Sequence, residues 1–81
     1  QFALWPNPME GQAWLSIDVA MQGPASLKVF DTKGTLVLAK PVQLFAGTNV
    51  VSVDGSLLAA GRYLLQLKMK DEVKNIQFIK Q

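Results

Sequence analysis

Apolar and polar residues alternate with a period of two along most of this chain, and that rhythm sets the fold class. In "RYLLQLKMK", Tyr63, Leu65, Leu67 and Met69 fall on one side, while Arg62, Leu64, Gln66, Lys68 and Lys70 fall on the other. A strand sends successive side chains to opposite faces, so such a run is half-buried as a strand and cannot form an amphipathic helix. "AWLSIDVA" repeats the pattern, with Leu15, Ile17 and Val19 opposed to Ser16 and Asp18. "SLKVFD", "TLVLAK" and "TNVVSVD" add further strands, and "NIQFIK" closes the chain with one more.

Turn chemistry separates these runs. "DTKG" (Asp31 to Gly34) places Asp first and Gly fourth, as a type I turn prefers, and with strands on both sides it reads as a hairpin. "AGTN" and "DGS" put Gly47, Asn49, Asp54 and Gly55 where left-handed backbone is needed, and "KDE" connects the last two strands. "SLLAAG" (Ser56 to Gly61) alone has helix-forming composition, but it is too short for an independent helix. It is expected to form a helical turn or loop that drops Leu57 or Leu58 into the core. Pro6, Pro8, Pro24 and Pro41 are expected at strand boundaries, where a missing N–H costs least.

Six or seven short strands with no room for crossover helices predict an antiparallel β-sandwich. With 81 residues the chain makes one domain. Residues 1–8 are expected to lead in from a linker and residues 9–81 to form the sandwich. The first residue is Gln, which suggests a piece of a longer protein. In so small a fold the apolar ending, Ile76, Phe78 and Ile79, is expected to be a structural strand: Ile76 and Phe78 share a face, whereas Ile79 and Lys80 split across the two.

Composition narrows the chemistry. The chain has no cysteine and no histidine, which removes disulfides, thiolate and imidazole metal sites, and nucleophile systems that depend on either residue. Of the six acidic residues, Asp31, Asp54, Asp71 and Glu72 lie in predicted turns and Asp18 on a solvent-side position, so no carboxylate pair is expected to converge for acid–base work. Calcium-loop and phosphate-loop spacings are missing. The net charge is +2 and the lysines are scattered, without the concentrated basic stripe that nucleic-acid binding requires. No apolar run is long enough to span a bilayer. Trp5 and Trp14 offer a sugar-stacking platform in principle, though core or rim packing is the simpler reading. No catalytic residue, cofactor or metal ligand is expected; the residues describe a binding or structural module.

Four segments, in order, resemble one family. "LWPNP" (Leu4 to Pro8) is similar to the Tyr-Pro-Asn-Pro opening of the type A C-terminal sorting domains of the type IX (Por) secretion system. "LKVFDTKGTLV" (Leu27 to Val37) resembles the second motif, an alternating strand followed by Asp and a turn Gly. "AGTNVVSVDGSLLAAGRYLLQL" (Ala46 to Leu67) resembles the third, which ends in Gly-x-Tyr and a strand. "IQFIKQ" (Ile76 to Gln81) resembles the closing segment, apolar with a lysine near its end. Each motif alone is common, but four in order from Leu4 to Gln81 are specific. Thr35 stands where an Arg often follows the turn glycine, and Gln77 where a second basic residue is often found.

The resemblance implies an immunoglobulin-like sandwich of about seven strands, placed behind an upstream cargo domain. It implies passage through the periplasm, recognition by an outer-membrane shuttle protein, and removal by a surface sortase as the cargo reaches the cell surface or is released. Pro6, Asn7, Pro8, Asp31, Gly34, Gly61, Tyr63, Phe78, Ile79 and Lys80 are the candidate recognition residues. Pro6, Asn7 and Pro8 are expected to form a rigid turn, and Asp31, Gly34 and Gly61 to serve backbone geometry. Tyr63 is expected to be a core aromatic whose hydroxyl reaches a backbone partner. Phe78, Ile79 and Lys80 are expected to serve both packing and recognition, on an edge strand whose unpaired backbone a partner can extend. The alternative is an immunoglobulin-like adhesion or carbohydrate-binding module retained on the mature protein, and a weaker one is a passive spacer.

Overall fold

A computed structural model describes all residues from Gln1 to Gln81. Seven strands follow one another with no helix: β1 (Phe2–Trp5), β2 (Gln12–Val19), β3 (Gly23–Phe30), β4 (Leu36–Leu44), β5 (Gly47–Asp54), β6 (Gly61–Lys68) and β7 (Val73–Lys80). They form two antiparallel sheets, one ordered β1-β2-β5 and the other β4-β3-β6-β7, which face each other as a β-sandwich. The period-two pattern explains the core directly. Ala13, Leu15 and Ile17 from β2 meet Leu27 and Val29 from β3 and Leu65 and Leu67 from β6, all fully buried. Phe78 from β7 and Val53 from β5 complete that layer.

The turns follow their residue chemistry. Asp31 Oδ1 accepts the N–H groups of Lys33 and Thr35, both at 2.9 Å, while Gly34 N–H donates to Asp31 O at 3.0 Å. Gly34 has φ 82°, a conformation in which a Cβ would clash with the following carbonyl, so the turn needs glycine there. Gly61, at φ 158°, also lies within the positive-φ range that L side chains rarely adopt, so glycine serves the backbone there too. Asn49 folds its amide back on the turn before it, accepting from Phe45 N–H and donating to Phe45 O and Gly47 O.

Four expectations change. Residues 1–8 do not stand outside the sandwich: β1 pairs with β2 from Phe2↔Ile17 to Trp5↔Trp14, and Leu4 joins the core. Its Phe2 and Leu4 alternate with Ala3 and Trp5, a strand pattern hidden by its shortness. Of Gly47, Asn49, Asp54 and Gly55 only Gly47 has a positive φ, at 103°, so the left-handed backbone expected at the other three is absent. "SLLAAG", by contrast, forms the expected turn, with Leu58 packed against the core and Leu57 98 % exposed. Pro41 lies inside β4, opposite Ser26, and not at a boundary. That position is tolerated because β4 is an edge strand, so no second neighbour needs the missing N–H. Trp5 and Trp14 are not core residues: they pair across β1 and β2 and stand 45 % and 38 % exposed on the outer face of the three-stranded sheet.

A candidate recognition pole

Strand direction brings the four motif segments to one end of the sandwich. β3 ends at the Asp31–Gly34 turn, β6 begins at Gly61, and β7 ends at Lys80, which pairs with Gly61. Residues 6–9 run from the end of β1 to the end of β7 and hold it there. Asn7 Oδ1 accepts the N–H of Ile79 at 3.0 Å, and Met9 N–H donates to Ile79 O at 2.7 Å. Gln81 N–H then donates to Met9 O at 2.8 Å, and Met9 itself is fully buried. Pro6 and Pro8 flank Asn7, each following a cis peptide bond. The closing strand is therefore an ordered edge strand whose last turn of ladder is already occupied. The fully unpaired edge expected from the sequence is corrected at this end, because a stretch distant in sequence supplies the missing partners.

Beneath this clamp the side chains divide by face. Phe78 is 2 % exposed and stacks on Tyr63, its cross-strand partner, with ring centroids 5.5 Å apart. The Tyr63 hydroxyl donates to Ala59 O at 2.6 Å. Lys80 also points inward, 8 % exposed, and its Nζ donates to Leu58 O at 3.1 Å. Its charge thus serves as an internal strut on the 55–59 loop and is not offered to solvent. Ile79 takes the opposite face and is 44 % exposed. Gly55 lies close to the same clamp: a Cβ there would come within 2.5 Å of Met9 Sδ, and its N–H donates to Gly11 O at 2.8 Å.

On the outer face these elements enclose an open trough of about 480 Å³. Asn7 borders it on the β7 side, and Asp31 and Thr32 on the β3 side. Arg62, Leu64, Gln77 and Ile79 line its floor, with Tyr63 and Phe78 beneath. Five of the ten candidate residues (Asn7, Asp31, Tyr63, Phe78 and Ile79) thus meet around one concavity. Pro6, Pro8, Gly34, Gly61 and Lys80 shape the same pole without lining it. The sequence reading missed Thr32, Arg62, Leu64 and Gln77, although alternation along "RYLL" and "NIQFIK" places the last three on the outer face. What it lacked was the topology that carries the Asp31 turn and Asn7 to their sides.

The sequence profile of the secretion system C-terminal sorting domain (Por_Secre_tail) matches residues 3–81. The chain belongs to that family. No curated protein matches it. The sorting domain is a C-terminal signal for type IX secretion, and its family is one of sorting signals, not of enzymes. The sandwich is therefore the folded form of an export signal that sends a protein to the cell surface or into the medium and engages the secretion machinery. No helix in it is long and apolar enough to cross a membrane.

Proposed function

We propose that the sorting signal is read at this pole: the trough floored by Arg62, Leu64, Gln77 and Ile79 is the recognised surface, and an outer-membrane shuttle protein is the reader. The single observation that carries this reading is the convergence of all four motif segments on one end, with Gln77 and Ile79 the closing-segment side chains on the outer face. Phe78 and Lys80 act from below. They hold β7 in register, so that Ile79 is displayed at a fixed place.

The opposite pole favours the same arrangement. Gln1 lies there, its carbonyl accepting from Asp18 N–H, so a cargo joined ahead of it leaves from the end remote from the trough. The molecule measures 35 Å along its longest axis, enough to keep a cargo clear of the reader. In this reading the domain crosses the periplasm folded, is handed by the shuttle to a surface sortase, and is removed there from its cargo.

The test is a reporter fused ahead of this chain in a cell with type IX secretion. Deleting Ile79 to Gln81 should abolish export, and Ile79→Ser should reduce it while leaving the melting temperature of the purified chain nearly unchanged. Normal export of both fusions would overturn the assignment of the pole as the signal.

A further inference from the structure

A sandwich of two sheets has four edges, and three of these are blunted. β1 is only four residues long. β4 carries Pro41 and is interrupted by a register shift opposite Val29 and Phe30. β5 is crossed by Lys40, whose Nζ donates to Ser52 O at 2.6 Å. These are the ordinary devices that keep a sheet from acquiring another strand. β7 differs. It is eight residues long, has no proline or glycine, and pairs with β6 without a shift from Val73↔Lys68 to Lys80↔Gly61.

Its clamp covers only the end. In an antiparallel ladder the residues alternate between bonding to the neighbour and turning their N–H and C=O away from it. Ile79 turns its pair outward, onto Asn7 and Met9. Gln77, Asn75 and Val73 therefore turn theirs the same way, and none of these groups has a hydrogen-bond partner. The inward Lys74, which could guard the edge, is held by Glu72 at 3.3 Å.

The adjoining outer face has a definite charge. Between its turns the four-stranded sheet carries Lys28, Arg62 and Lys68 and no carboxylate. Lys68 pairs with Val73, at one end of the open stretch, and Arg62 pairs with Ile79, two residues beyond its other end, so a cation lies one strand in at or near both ends. We propose that Val73–Gln77 of β7 is a docking edge for an extended acidic segment of a partner protein, which adds to the sheet as a further strand. Its alternate side chains are carboxylates that face Arg62 and Lys68; the intervening ones are apolar. Backbone bonds supply the attachment, and the cations select its charge. A second copy of this chain is a poor occupant. Edge-to-edge pairing would continue the same face with three more cations and no acid. The inference rests on reading this chain as a displayed sorting signal, and it names the chemistry of the reader.

The experiment titrates the ¹⁵N-labelled 81-residue chain with two capped octapeptides, one alternating glutamate and valine, the other lysine and valine. Amide shifts at Val73, Asn75 and Gln77 are expected, with the glutamate peptide binding at least about tenfold more tightly at low salt. Asn75→Pro should abolish binding, since its N–H lies outside the β6 ladder and the fold can spare it. The glutamate peptide N-methylated at alternate residues should also fail, independently of any variant. Arg62→Glu with Lys68→Glu should reverse the preference between peptides. Equal affinity for the two peptides, binding by the N-methylated peptide, or self-association through β7 would overturn the proposal. If the peptides fail but the native reporter fusion is exported, the docking edge falls and the sorting reading stands. A native fusion that is not exported removes the reading on which the partner rests.

Discussion

The two outer faces of this sandwich are built from the same alternating pattern, yet they carry opposite charge. The three-stranded sheet shows Trp5, Trp14 and Val50 beside Asp18 and Asp54, with no lysine or arginine. The four-stranded sheet shows Leu36, Phe30 and Leu64 in one cross-strand row, beside Lys28, Arg62 and Lys68. A net charge of +2 averages over this division and conceals it. Charge on a surface changes encounter and selectivity far more than it changes fold, so the sorting of charge by face bears on partners. The trough and the open edge both belong to the basic face. That places recognition on one side and one end of a small body.

The comparison breaks most completely if β7 itself is lost. Phe78→Ala removes a fully packed ring from beneath the trough and should cost about 3–5 kcal/mol, enough to abolish folding of a domain this small. Ile79→Ala, one residue on and across the sheet, should cost less than about 1 kcal/mol. Thermal unfolding of the pair measures how sharply β7 divides support from display. Next in size is the charge contrast. Arg62→Glu with Lys68→Glu should lower reporter export about tenfold, equivalent to about 1.4 kcal/mol of lost interaction. Gln12→Lys with Ser52→Lys, on the other face, should leave export unchanged. Equal losses from the two double variants would mean that the faces are not distinguished. Asn7→Ala should follow, costing about 0.5–1.5 kcal/mol as the Ile79 N–H loses its acceptor, and loosening amide protection at Ile79 first.

The residues differ in how much of this they announce. Leu65, Leu67 and Phe78 declare their burial through alternation alone, because the period of a strand is fixed by covalent geometry. Asp31 and Gly34 declare their turn for a similar reason: the chemistry acts within four residues. Asn7 could not be read this way, since its bond to Ile79 spans 72 positions. The same holds for the charged faces. Lys28, Arg62 and Lys68 look scattered along the chain, and only the pairing of β3 with β6 sets them side by side. Lys80 was legible as a terminal cation, but not as a buried one. Its burial depends on the 55–59 loop folding over it, and that loop has no period to reveal it. Local rules reach the elements, whereas the site arises from contacts between their ends.

The smallest effect concerns the acidic face, and pH isolates it. The Ser56 N–H, at 3.0 Å from Oδ1, holds the Asp54 carboxyl below its ordinary value, and the Ser56 hydroxyl helps. For Asp18 the first cause is the Thr48 hydroxyl, 2.6 Å from Oδ1, with the chain's amino group adding to it. Both folded-state values lie below the ordinary carboxylate value. The stabilisation is therefore complete above pH 4, where the unfolded carboxyls are charged as well, and it is lost as pH falls through about 4 and below. Asp18→Asn with Asp54→Asn keeps hydrogen-bond acceptors in place and should change the melting temperature little at pH 7, while making its decline between pH 4 and pH 2 shallower. Both carboxylates are solvent-exposed, so the change in slope should be small and should shrink further in high salt. An acid limb as steep in the double variant as in the native chain would show that these carboxylates serve only as charge, and that the acidic face owes none of its order to them.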